Sequence, residues 1–304
     1  LQQLNEYVYE ATCGYTDTRG VYLAKVDLQA FFMSLDCGQV CRMVSDFIGR
    51  HMVSNPYRDL LLYLTRVFYM SATRDHIRDM ATLAERALLD PRKSVFNHEY
   101  YHGVPIGDWT SQTAGLIVTT APLRYLESLG YRFVHYTDDT VVVVTSRRRW
   151  REDVRRLERY YGQQYGLVLH PKKRYMQHVS KGVELLGYKV RYGRTLPSDR
   201  IAHNVRWYVQ RTVRRAEQWP QYAVTHKEQI RSTVNSYLGM LRHTDAYRLR
   251  RWVCKEVAGS ALGRVFKADG EFTKIIIRPQ YSTAPYYAKE SKSLKQQIKN
   301  TFIL

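Results

Sequence analysis

Apolar and polar positions divide the chain into strand-like and helix-like stretches. Residues 21–35, VYLAKVDLQAFFMSL, open as an apolar strand from Val21 to Asp27 and then turn into a short segment carrying Phe31 and Phe32. From about Gln39 to Leu89 the apolar residues recur at intervals of three and four, the period of an amphipathic helix. Within it, PYRDLLLYLTRVFYM puts Pro56 where a first helical turn accepts it. GVPIGDWTSQTAGLIVTTAPLRYLESLG starts as a Gly/Pro loop and continues as a helix with Thr110 and Ser111 in its first turn. YRFVHY and VVVVT then predict a hairpin with Asp138 and Asp139 at its tip. RRRWREDVRRLERYYGQQYG reads as an amphipathic, Arg-rich helix ended by Gly166, and short strands and turns follow as far as Arg194. From about Ala202 the chain is again mostly helical and basic. The turn-like LPSDR (Leu196 to Arg200) marks a domain boundary, dividing residues 1–199 from 200–304. No internal repeat is visible, and the Lys-rich ending around KESKSLKQQIK reads as mobile.

Composition adds the partner class. With 304 residues and 44% apolar content, the chain can bury a sizeable core in one large domain or in two to three smaller ones. Its 47 Lys and Arg against 28 Asp and Glu leave a formal charge of +19, which points first to nucleic acid and second to a membrane surface. No apolar run reaches the roughly 18–20 residues that span a bilayer, and LQQLNEYVYE is not a signal peptide, so a soluble cytoplasmic protein is expected. Cys13, Cys37, Cys41 and Cys254 contain no CxxC pair; Cys37 and Cys41 could share a helix face, and they read as core thiols. The 25 tyrosines set beside basic residues suit base stacking, although tyrosine also fills cores.

Asp138 and Asp139 have a plain reading, since aspartate is common in turns. Asp27 changes that reading: it ends another apolar strand, and neighbouring strands would bring the acids to one sheet edge. Mg²⁺ takes oxygen ligands of this kind, commonly one or two carboxylates plus substrate phosphates, and a pair of such ions supports in-line phosphoryl transfer.

In order, the motifs are Asp27 to Phe32, the glycine loop Gly103 to Gln112, the Tyr136 to Asp139 hairpin, the lysine-bearing turn His170 to Arg174 and the Leu185 to Tyr188 hairpin. This order, over roughly residues 20–190, resembles the palm of a reverse transcriptase. SYLGMLRH (Ser236 to His243) is similar to the thumb of group II-intron-like enzymes. The resemblance implies an α+β fold of right-hand polymerase architecture: an antiparallel palm sheet with packed helices, partial fingers, and a mostly helical thumb with a C-terminal extension. It implies that Asp27 and Asp138 hold two Mg²⁺ ions, Mn²⁺ being a possible substitute, with the Leu28 carbonyl as a further ligand and Asp139 as a supporting charge. Phe32 falls at the steric gate against a ribonucleotide 2′-OH, while Phe31 reads as a core ring. Lys173 falls where a lysine meets the triphosphate, although Lys172 and Arg174 flank it and an exposed turn lysine is the alternative. Leu186, Gly187 and Tyr188 resemble the primer grip. Only 26 residues precede Asp27, fewer than fingers strands need, so neither Arg19 nor Lys25 is assigned to the nucleotide.

The loop reads IGxxxSQ from Ile106 to Gln112, where many reverse transcriptases carry QGxxxSP. This resembles the enzymes of diversity-generating retroelements, bacterial or phage-encoded, which copy a template RNA into cDNA with errors at adenines. Ile106, Gly107 and Gln112 would then sit near the nucleotide, and an apolar Ile106 in place of an amide removes a polar contact that helps tell right pairs from wrong. The family implies template RNA, primer, cDNA and dNTPs as ligands, and a small basic helical-bundle accessory protein as partner. Arg206, Arg211, Arg214, Arg215 and Arg242, among Trp207, Tyr208 and Tyr237, suit the phosphates of a duplex. The Arg147 to Arg159 helix reads instead as palm exterior or a protein-binding surface. Group II intron maturases, retron enzymes, phage-defence enzymes and a silent RNA-binding scaffold are the alternatives.

Overall fold

The computed structural model describes residues 1–282. Helices and strands are mixed, and the strands of the largest sheet pair antiparallel, so this is an α+β chain. The described residues separate into two compact units: 1–185 with 190–193, and 186–189 with 194–282.

The first unit contains α1 (Gln2–Ala11), β1 (Tyr22–Asp27), a 3₁₀ turn (Phe31–Ser34), α2 (Cys37–His51), α3 (Arg58–Met70) and α4 (Leu83–Leu88). It continues through α5 (Trp109–Ser128), β2 (Arg132–Tyr136), β3 (Asp139–Val144), α6 (Arg147–Tyr165), β4 (Tyr175–His178) and β5 (Val183–Leu185). The division between the units runs through β6 (Tyr188–Arg191). Four strands form the main sheet in the order β2-β3-β1-β4. The β1–β3 register runs from Tyr22 opposite Val144 to Asp27 opposite Asp139. Successive side chains point to opposite faces of a strand, so Val141 and Val143 join Leu4, Val8 and Leu23 in one core. Val142 and Val144 join Ala24, Val26, Phe31 and Leu157 in another. The four-valine run is therefore continuous rather than alternating because both of its faces are covered.

Two expectations need correction. The hairpin tip is Thr137, at φ 59°, with Asp138, whereas Asp139 already belongs to β3 and is paired. The helical stretch from Gln39 to Leu89 resolves into α2 and α3, then loses regularity until the short α4; Pro56 lies ahead of α3, whose N-cap is Tyr57. Met80, Leu83 and Leu88 are all exposed, so the apolar period there has no partner to pack on, and short helices need such packing. Gly166 does end α6, as a left-handed C-cap at φ 65° that a side chain would strain. Cys37 is buried and Cys41 half-buried, both as free thiols.

The second unit runs β7 (Arg194–Pro197), α7 (Asp199–Gln218), α8 (Tyr222–Thr225), α9 (Lys227–Arg242), α10 (Tyr247–Gly259), β8 (Phe266–Ala268) and β9 (Ile275–Ile277). Ser198, inside LPSDR, caps α7 by accepting the Ile201 N–H at 3.4 Å. Val205, Val209, Leu238, Val253 and Phe266 lie in its core. The antiparallel β8–β9 pair is a short addition to a region expected to be mostly helical. The ending KESKSLKQQIK lies outside the described residues. Among the described residues no helix is long and apolar enough to cross a membrane.

Gly115 in α5 is required by a close approach: a Cβ there would stand 2.9 Å from Phe31 Cε1, and the Phe31 ring is only 2% exposed. Gly115→Ala should therefore destabilise the protein by about 1–2 kcal/mol in urea denaturation, overpacking outweighing the helix propensity that alanine adds. A more stable variant would show that the ring can swing aside.

Candidate active site at the sheet edge

Strand pairing builds the site. Antiparallel β1 and β3 place the C-terminal residue of one, Asp27, opposite the N-terminal residue of the other, Asp139, with Asp138 one step earlier at the turn. Asp27 is 3% exposed. Burying a carboxylate without a counter-charge is expensive, and two lysines answer here. Lys173 Nζ donates to Asp27 Oδ2 at 2.7 Å. Lys25 Nζ lies 3.0 Å from Asp139 Oδ1 and donates to Oδ2 and to the Glu184 carbonyl, each at 3.1 Å. Among the described residues, none donates a hydrogen bond to Asp139 Oδ1. Lys25 precedes Asp27 by two residues, so the period of the strand puts both on one face. The turn after β1 is fixed by backbone: His170 N donates to the Asp27 carbonyl at 2.8 Å, Gln29 N to the Val168 carbonyl at 2.8 Å, and Lys173 N to the His170 carbonyl at 3.1 Å.

The electrostatics reflect two ammonium groups among three carboxyls. Burial, and then the charge of Asp27, push the Asp138 carboxyl above the usual range, with Lys173 pulling weakly the other way. Burial also raises Asp139, against the pull of Lys25 and with a push from Asp27. The hydrogen bond to Asp27 raises the Lys173 ammonium above the ordinary lysine value. An excess of buried acid at one edge is a place where a cation is favoured. Among the described residues no three His, Cys, Asp or Glu side chains close into a metal cage.

Asp27, Leu28, Phe32, Ile106, Asp138 and Lys173, six residues singled out from the sequence, line one pocket of about 300 Å³. Asp139 stands beside it through the register with Asp27. Phe31 is buried and Phe32 half-buried, their rings 5.3 Å apart, and both touch the pocket. Ile106 is 74% exposed, so it does not pack beneath α5. Gly107, at φ 102°, and Gln112, on the exposed side of α5, do not line the pocket. Leu186, Gly187 and Tyr188 belong to the second unit: Leu186 and Gly187 have φ 55° and 79°, and Tyr188 Oη donates to the Met240 carbonyl at 3.4 Å. Arg206, Arg211, Arg214 and Arg215 on α7 and Arg242 on α9 are exposed, with Arg211 over the Trp207 ring at 4.8 Å.

Several residues at the site, Lys25, Lys93 and Ala30 among them, are not assigned in the sequence analysis. Lys25 does carry a signal, since a lysine in register with Asp27 inside an apolar strand needs an acid to face. Lys93 reaches the pocket from a 3₁₀ turn, Pro91–Lys93, in a region with no pattern to read. Ala30 holds φ 48° at the pocket wall, a left-handed conformation rare for a residue with a side chain, and nothing in the sequence signals it.

Neither a protein-family model nor a curated protein matches the chain. Among solved structures the chain is similar to telomerase from Candida albicans in complex with a TWJ fragment of telomeric RNA, at 10% identity and a TM-score of 0.41 over 85% of this chain and 42% of that one. It is also similar to apo telomerase from Candida tropicalis, at 9% identity and a TM-score of 0.47 over 86% of this chain and 47% of that one. The chain thus spans less than half the length of either.

Lys25, only 12% exposed, offers a test of the charge balance. Lys25→Met should cost on the order of 3 kcal/mol at pH 7, because Asp139 is left as an uncompensated buried charge. Asp139 has a folded pKa already above its unfolded value, so its contribution favours folding below about pH 4 and is lost as pH rises through the folded pKa. Losing Lys25 raises that folded pKa further. The deficit against wild type should therefore shrink when urea denaturation is repeated at about pH 5. A deficit of equal size at both pH values would assign the loss to packing of the lysine stem.

Proposed function

We propose that this chain is an RNA-directed DNA polymerase of right-hand architecture. The observation that carries the reading is the convergence of Asp27, Asp138, Phe32, Ile106 and Lys173, from four separate stretches of sequence, on one pocket. Asp27 and Asp138 would hold Mg²⁺, or Mn²⁺ in its place, with the Leu28 carbonyl as a further ligand. The donor set is of the kind this ion takes: oxygen ligands only, with two carboxyls lining one pocket that leaves room for substrate phosphates to complete the shell. Bound there, two ions would activate a primer hydroxyl and neutralise the leaving pyrophosphate.

The remaining chemistry falls to the chain itself. Asp139, paired with Lys25, keeps a negative charge behind the two ligands without occupying their positions. Lys173, protonated and hydrogen-bonded to Asp27, is within reach of a triphosphate entering the pocket and can release a proton to the departing pyrophosphate. Phe32 presents a ring at the wall where a sugar would lie, which disfavours a 2′-OH by steric exclusion. Gly115 lets Phe31 back that ring closely. Leu186, Gly187 and Tyr188 would position the primer, and Arg206, Arg211, Arg214, Arg215 and Arg242 the phosphates of the duplex.

We assign the enzyme more finely to the diversity-generating type, copying a template RNA for mutagenic retrohoming with an accessory helical-bundle protein. The exposure of Ile106 at the pocket supports this, since a branched apolar side chain stands there with no hydrogen bond to offer a template or an incoming nucleotide. Gln112 then acts from the adjoining helix, outside the pocket lining.

Primer extension on an RNA template with Mg²⁺ tests the activity. Asp138→Asn should lower extension on the order of 10³-fold or more while RNA affinity stays near that of wild type; an active variant would refute the metal assignment. For the subfamily, sequenced cDNA should carry errors concentrated at template adenines, and Ile106→Gln should reduce them by about tenfold. Errors spread evenly over the four bases would remove the diversity-generating reading.

A further inference from the structure

The exposed side of α6 is rich in arginine, with Glu152, Gly162, Gln163 and Gln164 beside it. Seven of its residues are Arg and none is Lys. Trp150, Asp153, Val154, Leu157 and Tyr161 are buried on the opposite side. The acids of the helix are committed. Asp153 accepts the Tyr131 hydroxyl at 2.8 Å and faces Arg149 and Arg156, each at 3.5 Å. Glu152 lies 3.7 Å from Arg148, and Glu158 turns to Arg174. Among the described residues, Arg151, Arg155 and Arg159 remain exposed with no carboxylate partner. They recur every fourth residue, so their Cα atoms climb the helix in steps of about 6 Å. Beside Arg159 a separate pocket of about 260 Å³ opens between α5 and α6, lined by Tyr125, Arg156, Tyr160 and Gln163 as well.

A solvated helix face accepts lysine and arginine alike, and it normally interleaves them with acids. Exclusive use of arginine selects for planar, two-pronged recognition of phosphate or carboxylate. An even repeat of free guanidinium groups matches a polymer whose anions also repeat evenly. Two tyrosine rings and a glutamine amide in the adjoining pocket offer a base a stacking surface and a hydrogen-bond partner. We propose that this face of α6 binds a single strand of nucleic acid through its phosphates, with a base seated between Tyr125 and Tyr160. None of these residues lines the candidate active site, and the inference does not require that site to be catalytic. It differs from the reading of α6 as palm exterior or a protein-binding surface.

The test is binding of a fluorescently labelled 20-nucleotide single strand, as RNA and as DNA of one sequence, to the full chain over a range of salt concentrations. In the triple variant Arg151→Gln, Arg155→Gln, Arg159→Gln the slope of log affinity against log salt should fall by about 2, at roughly 0.7 for each phosphate no longer neutralised. Affinity at low salt should fall by about tenfold or more, while primer extension on a preformed short duplex stays at the wild-type level. Lysine at the same three positions should restore the slope. A loss confined to RNA or to DNA names the strand. Unchanged slope and affinity with both strands overturns the proposal, and if labelled polyglutamate binding alone is lost, the face takes an acidic protein instead. Extension is read in the same preparations, so failure of the polymerase reading appears separately, as an inactive wild type.

Discussion

A carboxylate shut away from water must find a cation close by, and three carboxyls meet at one end of the main sheet. The first unit is arranged around that demand. Antiparallel register brings Asp27 and Asp139 face to face, which alone would be repulsive. Lys25, two residues back on β1, reaches across to Asp139, while the His170 to Arg174 turn is hydrogen-bonded to the end of β1 and delivers Lys173 to Asp27. Each lysine is tied to the acid it neutralises through strand or turn backbone. Of the three acids only Asp138 lacks a dedicated cation among the described residues.

Other parts of the unit read as support for this edge. The 3₁₀ turn that carries Phe31 and Phe32 starts from the left-handed Ala30 and is pressed against α5 at Gly115. Phe31 goes to the core, leaving Phe32 half-exposed to the pocket. Opposite it, the loop before α5 carries Ile106 outward into solvent instead of folding it under the helix.

What can be read from the sequence follows from burial. The strand ending at Asp27, the hairpin around Asp138, the glycine-ended α6 and the helices beyond Ala202 are legible because their apolar spacing matches surfaces that are in fact covered. The stretch after Met70 misleads for the converse reason: it keeps a helical period but has nothing to pack on. Two adjacent aspartates suggest a turn with both at its tip, yet Thr137 takes the left-handed position and lets pairing begin at Asp139. The β8–β9 pair is hidden by its size, three residues a strand inside a basic helical region. Lys93 is hard to see as a site residue because a single lysine in a turn has the same local signature whether it faces solvent or a buried acid.

The doubly covered valines of β3 carry a further consequence. Val141 and Val143 belong to one core, Val142 and Val144 to the other, and the strand they share begins at Asp139. Neither core can come apart without stripping one side of that strand, so the two behave as one cooperative folding unit. The backbone that carries the acids sits at its seam. Met80, Leu83 and Leu88, exposed in the stretch ahead of α5, contribute to neither core.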